Sequence, residues 1–424
     1  MDTIYAVSSG APPAAIAVLR LSGAGAFDAV RVIAGELPEP RRAALRALRH
    51  DGELLDRALV LLFPGPGSAT GEDVAELHLH GGRAVVRAVE AALAGMPGLR
   101  AAEPGEFTRR ALEHGRIDLS EAEGLGDLLM ADTEAQRRAA IRAAEGAVRR
   151  EVEGWAARVL EIAAQVEALL DHSDEEDVGD ADLEPSLRAA AGTLAAEIEG
   201  VVARPAVERL RDGIRVVLAG PPNAGKSTLL NALAERDAAI VSPIAGTTRD
   251  RIEVPVMRDG IAWLLIDTAG LAETTDDAVE AMGVARAREA LAGADLTLWL
   301  GDEAPQEGAI WVHSRFDEAG RNAAPNGSVA VSAKTGAGLD ALWVRMADMA
   351  RMLLPPADQV ALNQRQRGLC AASAESLRAA AAEPELLLFA EHLRSARRAF
   401  DAVTGRADVE AMLDALFARF CIGK

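Results

Sequence analysis

The chain has 424 residues, 50% of them hydrophobic and 26% charged, with 45 basic and 65 acidic side chains and a formal charge of −20. At about 100–200 residues per domain that length makes roughly two to four domains, and at 3% aromatic their cores must be built from aliphatics and alanine. Two cysteines, Cys370 and Cys421, exclude a disulfide framework and fit a reducing, cytoplasmic setting; the start Met1-Asp2-Thr3 lacks a basic leader, no apolar run approaches the ~20 residues of a membrane span, and the charge argues against a nucleic-acid grip over the whole surface while leaving room for one basic face.

Residues 1–116 mix strand-like runs (Ile16 to Leu19, Ala58 to Phe63) with a Pro64-Gly65-Pro66-Gly67 loop and a helix from Val85 to Leu93 ending at Gly95, which predicts a small α+β domain. Residues 117–213 read as helix. Trp155, Val159, Ile162, Val166 and Leu169 form a seam at alternating spacings of four and three, and Asp171 to Glu184 carries eight acids and no base, the signature of a solvated loop. Residues 214–354 alternate strand, loop and helix: a buried run Arg215 to Ala219, a hairpin from Ile252 to Asp267 turning at Asp259-Gly260, and strands at Leu296 to Leu300 and Ser328 to Val331, stopped by Pro355-Pro356. Residues 355–424 return to helix. Helical sequence on both sides of an α/β segment predicts that the α/β domain is inserted into a helical one. The charge is uneven: 23 acids against 10 bases over 117–213, but nine against nine over 355–424, so the acidity does not bar a polyanionic partner from other faces.

Of the basic residues 42 are arginine and three are lysine, namely Lys226, Lys334 and Lys424. Where arginine replaces lysine so widely, a surviving lysine marks a place that needs a compact ammonium. Lys226 closes Gly220-Pro221-Pro222-Asn223-Ala224-Gly225-Lys226-Ser227, a match to G-x-x-x-x-G-K-[ST] between a strand and the helical stretch that begins at Thr228. Glycines there let backbone N–H groups close on phosphates, Lys226 would reach the β/γ-phosphates, and Ser227 would ligate Mg²⁺.

Three more segments follow in order. Gly246-Thr247-Thr248-Arg249-Asp250 resembles a switch I with Thr248 as second Mg²⁺ ligand. Asp267-Thr268-Ala269-Gly270 resembles a switch II, Asp267 meeting Mg²⁺ through water and the Gly270 N–H meeting the γ-phosphate. Ser332-Ala333-Lys334 resembles the guanine-supporting loop of translation-factor-type GTPases and takes up the second lysine. The four together resemble a G domain that binds GTP. The superfamily's Asn-Lys-x-Asp is replaced by Ser314-Arg315-Phe316-Asp317, in which Asp317 can still accept from guanine N1 and N2. Leu271 occupies the position where small GTPases place a water-orienting Gln. Asn223 resembles the P-loop asparagine of dynamin-like and potassium-stimulated GTPases, which implies a K⁺ site completed by Ser242 and Ile244 with Thr247 nearby, and a water-positioning role for Glu280. Taken alone, Glu280 reads as a solvated carboxylate at a helix start.

The two ends sharpen the resemblance. Gly71-Glu72-Asp73-Val74-Ala75-Glu76-Leu77-His78-Leu79-His80-Gly81-Gly82, Glu103 to Ala111, Gly115-Arg116-Ile117-Asp118-Leu119 and the terminal Cys421-Ile422-Gly423-Lys424 closely resemble the tRNA wobble-uridine modification GTPases, the MnmE/TrmE family, along the whole chain. The resemblance implies an α/β P-loop GTPase domain (214–354) inserted into an α-helical domain (117–213 and 355–424), preceded by an α+β N-terminal folate-binding-like and dimerisation domain (1–116). It also implies a 5-formyltetrahydrofolate-type cofactor held by Arg20, Glu76, Arg116 and Lys424, a functional Cys421, a homodimer, an FAD-dependent partner protein and tRNA. The product would be a carboxymethylaminomethyl group at C5 of the wobble uridine. From the residues alone, Arg20 and Glu76 read as surface and strand-face charges, His78 and His80 as structural, Cys421 as a thiol on a frayed tail, and Cys370 as core. Two other classes make different demands on the sequence. A GTP switch for ribosome assembly predicts a basic appendage and a membrane-remodelling scaffold predicts an amphipathic insertion; neither is found in the sequence.

Overall fold

A computed structural model describes residues 2–171, 183–236, 253–267, 290–305, 307–321, 323–356, 358–406, 413, 416–417, 420 and 423. The chain divides into two compact units, 1–126 together with 401–424, and 127–400.

The first unit holds β1 (Thr3–Val7), β2 (Ile16–Ser22), α1 (Ala26–Ala34), β3 (Ala44–His50), β4 (Glu53–Phe63), β5 (Val74–His80), α2 (Arg83–Ala94), β6 (Leu99–Ala101), α3 (Glu106–Glu113) and the start of α4 (Leu119–Leu129). The sheet runs β3-β4-β5-β2-β1-β6, antiparallel throughout except for the parallel β1/β6 pair. One face is closed by α1 and α2, whose Val30, Ile33, Val89 and Leu93 bury against Leu19, Leu21, Val60, Leu77 and Leu79. The sequence reading names no strand at β3. Its Ala44-Leu45-Arg46-Ala47-Leu48 is made of good helix formers, but a hairpin turn with Asp51 and Gly52 both at positive φ (50° and 82°) lays it on β4, and Leu48 enters the core. Asp118 starts α4: its carboxylate accepts from Glu121 N–H (2.8 Å) while Glu121 accepts from Asp118 N–H (2.7 Å), a reciprocal cap.

The second unit continues with α5 (Glu134–Ala144), α6 (Ala147–Asp171), α7 (Leu183–Val202), α8 (Glu208–Arg211), β7 (Ile214–Ala219), α9 (Lys226–Arg236), β8 (Glu253–Arg258), β9 (Ile261–Asp267), β10 (Leu296–Trp299), β11 (Ile310–His313), β12 (Val329–Ala330), α10 (Leu339–Leu353), α11 (Gln364–Ala382) and α12 (Leu386–Thr404). The α6 seam is longer than its sequence pattern, running from Val148 and Val152 through Trp155, Val159 and Ile162 to Val166, while Leu169 is only half-buried. Helices that precede the sheet in sequence pack with helices that follow it. Leu187, Leu194 and Ile198 of α7 are buried with α11, which contributes Cys370, Ala374 and Leu377; Arg378 of α11 pairs with Glu199 of α7. Trp155 of α6 stacks near Phe400 of α12 (centroids 6.0 Å) and donates to Glu197 of α7 (3.1 Å). Burial pushes the Cys370 thiol up to about 12, as a core cysteine requires.

The second sheet has the order β12-β11-β10-β7-β9-β8, parallel apart from the antiparallel edge hairpin β8/β9. That hairpin turns at Asp259-Gly260, both at positive φ (53° and 76°). Since β7 is central and the chain goes to β9 on one side and β10 on the other, the crevice beyond the carboxyl end of β7 is the topological switch point, where such sheets bind ligands.

Candidate functional site

The phosphate loop lies at that switch point. Gly220 leaves β7 at φ 145°, where a Cβ would crowd the Leu300 backbone, and Gly225 (φ 92°) precedes the first residue of α9. Asn223 is exposed and left-handed (φ 61°), a conformation asparagine tolerates. The N-terminal turn of α9, Lys226-Ser227-Thr228, presents N–H groups with no helical acceptor, the arrangement that attracts an anion. Lys226 is 7% exposed, and its ammonium donates to the Gly220 and Pro221 carbonyls (3.0 and 2.9 Å), so the loop is closed over its own lysine. The Ser227 hydroxyl donates to Asp267, the last residue of β9, which is 1% exposed. The two residues expected at Mg²⁺ are therefore side by side, and their all-oxygen donor set fits that ion.

The loops expected at the guanine are held just as closely. Buried Ser314 donates to the Ala224 carbonyl of the phosphate loop (2.7 Å). Arg315 is left-handed (φ 55°) with its stem against the same loop: a Cβ at Gly225 would stand 3.8 Å from Arg315 Cγ. Asp317 accepts from the Ser332 hydroxyl (2.6 Å), and that bond, then the loop's own backbone N–H and the charge of Lys334, hold its carboxyl below the usual carboxylate range. Ser332 also accepts from Thr335 N–H (3.1 Å). Half-buried Ala333 and exposed Lys334 complete that loop. Thus Asn223, Ala224, Gly225, Lys226, Ser227, Thr228, Asp267, Ser314, Asp317, Ser332, Ala333 and Lys334 belong to one unit and line one sheet's carboxyl end. Ser242, Ile244, Thr247, Thr248, Thr268, Ala269, Gly270, Glu280, Cys421 and Lys424 lie outside the described residues.

In the first unit, Arg20 of β2 and Glu76 of β5 are direct cross-strand partners, with Arg20 donating twice to one Glu76 oxygen (3.0 and 2.8 Å) beneath the Phe107 ring (5.9 Å). The pair stays partly exposed, 26% and 17% by side chain, so a guanidinium and a carboxylate face outward together. Exposed Arg116 lies against Gly71, in the loop before β5. His78 and His80 are engaged by carboxylates, His80 Nδ1 with Asp56 (2.7 Å) and His78 near Glu76 (3.4 Å), and no cluster of metal-ligating side chains occurs among the described residues. The tail reaches this unit: Gly423 (φ 95°) packs on the Val7 backbone so closely that a Cβ would strike the Val7 carbonyl.

Sequence reasoning did not single out Arg110. It is 4% exposed and donates to Glu72 (3.0 and 3.2 Å), Glu106 (3.0 Å) and the Asp2 carbonyl (2.9 Å), while Glu72 also accepts from Ser22 (2.7 Å). These bonds tie α3 to the loop before β5. Its burial, the only signal of this role, is not visible in a run of charged residues.

Two family profiles cover the chain, one described as the GTP-binding protein TrmE N-terminus over residues 3–116 and one as the MnmE helical domain over residues 119–421. The chain belongs to the MnmE family of tRNA modification GTPases. A tRNA modification GTPase MnmE of Erythrobacter litoralis is 56% identical over 428 residues, covering all of both chains, and one of Rhizorhabdus wittichii is 58% identical over 429 residues, covering all of this chain and 97% of that one. The crystal structure of the G domain of the T. maritima FeoB iron transporter is similar over 32% of this chain and 98% of that one at 24% identity, with a TM-score of 0.25 that adds nothing to the fold. No helix among the described residues is long and apolar enough to cross a membrane.

Proposed function

We propose that this member of the MnmE family hydrolyses GTP and, with a flavoprotein partner, takes part in adding a carboxymethylaminomethyl group at C5 of the wobble uridine of certain tRNAs. The observation that carries the nucleotide half is the contact of Ser227 with buried Asp267 beside Lys226, in a phosphate loop that Ser314 joins to the loop of Asp317.

Bound Mg²⁺ would neutralise charge on the β/γ-phosphates. Ser227 and Thr248 are its proposed ligands, with Asp267 acting through water. Lys226 would exchange the Gly220 and Pro221 carbonyls for phosphate oxygens, a swap that costs the ammonium little because its bonds are replaced. Asp317 would accept from guanine, the Gly270 N–H would meet the γ-phosphate, and Thr268 and Ala269 are proposed to bind the nucleotide with it. Asn223, with Ser242, Ile244 and Thr247, is the proposed K⁺ site, and Glu280 would position the attacking water. In the first unit, Arg20, Glu76, Arg116 and Lys424 are the proposed contacts of a 5-formyltetrahydrofolate-type cofactor, where outward-facing cations and a carboxylate suit an acidic tail and a donor-rich ring. Gly423, between the proposed Cys421 and Lys424 in sequence, packs on the Val7 backbone of this unit. The reading also takes residues 214–354 as a G domain inserted between helical segments 117–213 and 355–424, and 1–116 as the folate and homodimer domain; the α7/α11 packing supports the insertion.

A salt-controlled pull-down tests the assignment. With GTP present the chain retains an FAD-dependent tRNA-modifying protein and tRNA. Retention of neither, by a chain that still binds nucleotide, contradicts the modification role and leaves a stand-alone GTP switch.

A further inference from the structure

Where related G domains carry Asn-Lys before the guanine-reading aspartate, this chain carries Ser314-Arg315. The hydrogen of the Ser314 hydroxyl is committed to the Ala224 carbonyl (2.7 Å), and the Arg315 stem lies on Gly225. Reading of the base edge therefore falls on Asp317. One of its oxygens is fixed by Ser332, and the rest of its orientation depends on the loop that carries it.

That loop has no helix or strand of its own. It is two successive turns, closed by Glu318 N–H to the Arg315 carbonyl (3.0 Å) and Arg321 N–H to the Glu318 carbonyl (3.1 Å). Its far end is fastened by one residue. Arg321 Nε donates to the Ser314 carbonyl (2.9 Å), another of its guanidinium nitrogens donates to Asp302 after β10 (2.7 Å), and its carbonyl accepts from His313 Nε2 at the end of β11 (2.9 Å). The planar fork serves two acceptors in fixed directions, which a lysine cannot do. The Arg321 side chain is 18% exposed although its Asp302 partner stands in solvent at 74%, so the arginine is packed into place rather than swinging on the surface.

Resting on the GTP reading above, we propose that Arg321, which lies in none of the nucleotide motifs, is a positioning residue for guanine: it closes the Ser314–Arg321 loop so that Asp317 meets both N1–H and the 2-amino group of the base. A carboxylate set correctly takes both donors of guanine but only N1–H of hypoxanthine, which lacks the amino group. Loss of the setting should therefore cost GDP more than IDP, whereas a general loosening of the domain costs both alike.

The experiment is equilibrium binding of GDP, IDP and ADP to the full chain by calorimetry, for wild type, Arg321→Ala and Arg321→Lys, with thermal unfolding recorded alongside. Wild type is expected to prefer GDP over ADP; if it does not, the guanine reading itself fails, whatever the variants do. Given that preference, Arg321→Ala should weaken GDP by about tenfold and IDP by clearly less, so that the GDP-to-IDP ratio falls towards one. Arg321→Lys should lower the ratio as well, and it carries the test if the alanine variant does not fold. An unchanged ratio in the folded variant overturns the proposal.

Discussion

The two ends of the proposed nucleotide crevice are built on opposite plans. At the phosphate end every motif residue is present, and the side chains satisfy one another, Lys226 on loop carbonyls and Ser227 on Asp267. At the guanine end two of the motif residues are replaced, yet the loop is fastened at Ser314, Ser332 and Arg321. Phosphate recognition needs backbone N–H groups at a tight turn and one compact cation, and few other residues can supply them. Holding a carboxylate beside a base needs only a rigid loop, which many combinations of bonds provide. Identity is thus demanded at one end and rigidity at the other.

The largest expected effect is at the phosphate end. Lys226→Ala should lower the GTP turnover rate by about 100-fold or more, the scale of losing a charge-stabilising donor in the transition state; a single-turnover assay reads it, and near-normal turnover would break the contrast. At the guanine end, Asp317→Asn exchanges an acceptor for a donor and should invert preference from GDP to XDP, with GDP weakened by about 10–100-fold in competition binding. Retained GDP preference would move base reading elsewhere. The smallest effect is a flat pH response. As the proposed guanine acceptor Asp317 must be ionised, and its carboxyl is held below the ordinary carboxylate range by Ser332. Guanine preference is therefore present above that lowered range and is lost only as pH falls through it, so the GDP-to-ADP affinity ratio should not change from pH 8 to pH 5; a fall within that window would show an Asp317 carboxyl raised above the ordinary range instead of held below it.

How far the sequence could be read follows the same division. The phosphate loop between strand and helix, the Asp259-Gly260 turn and the α6 seam are local patterns whose spacing dictates geometry; the first two stand in the structure as read, and the seam read from Trp155 to Leu169 is buried from Val148 to Val166 with Leu169 half-buried. The β3 strand, the Ser314 bond to Ala224, the Arg321 fastening and the buried Arg110 are long-range facts. In β3 local helix preference is overridden by pairing with β4, and Arg321 and Arg110 resemble the 40 other arginines of the chain until their burial and partners are known. The three lysines sharpen the point. Lys226 and Lys334 both stand at the nucleotide crevice, one against phosphate-loop carbonyls and one whose charge acts on Asp317, places where a point charge does what a guanidinium does not.

The most direct measurement is nucleoside mass spectrometry of tRNA from a strain deleted for this chain and complemented with wild type or Lys226→Ala. The carboxymethylaminomethyl group should vanish from the wobble uridine in the deletion, return with wild type and stay absent with Lys226→Ala. A normal level of the modified nucleoside in the deletion strain would contradict the proposed function outright.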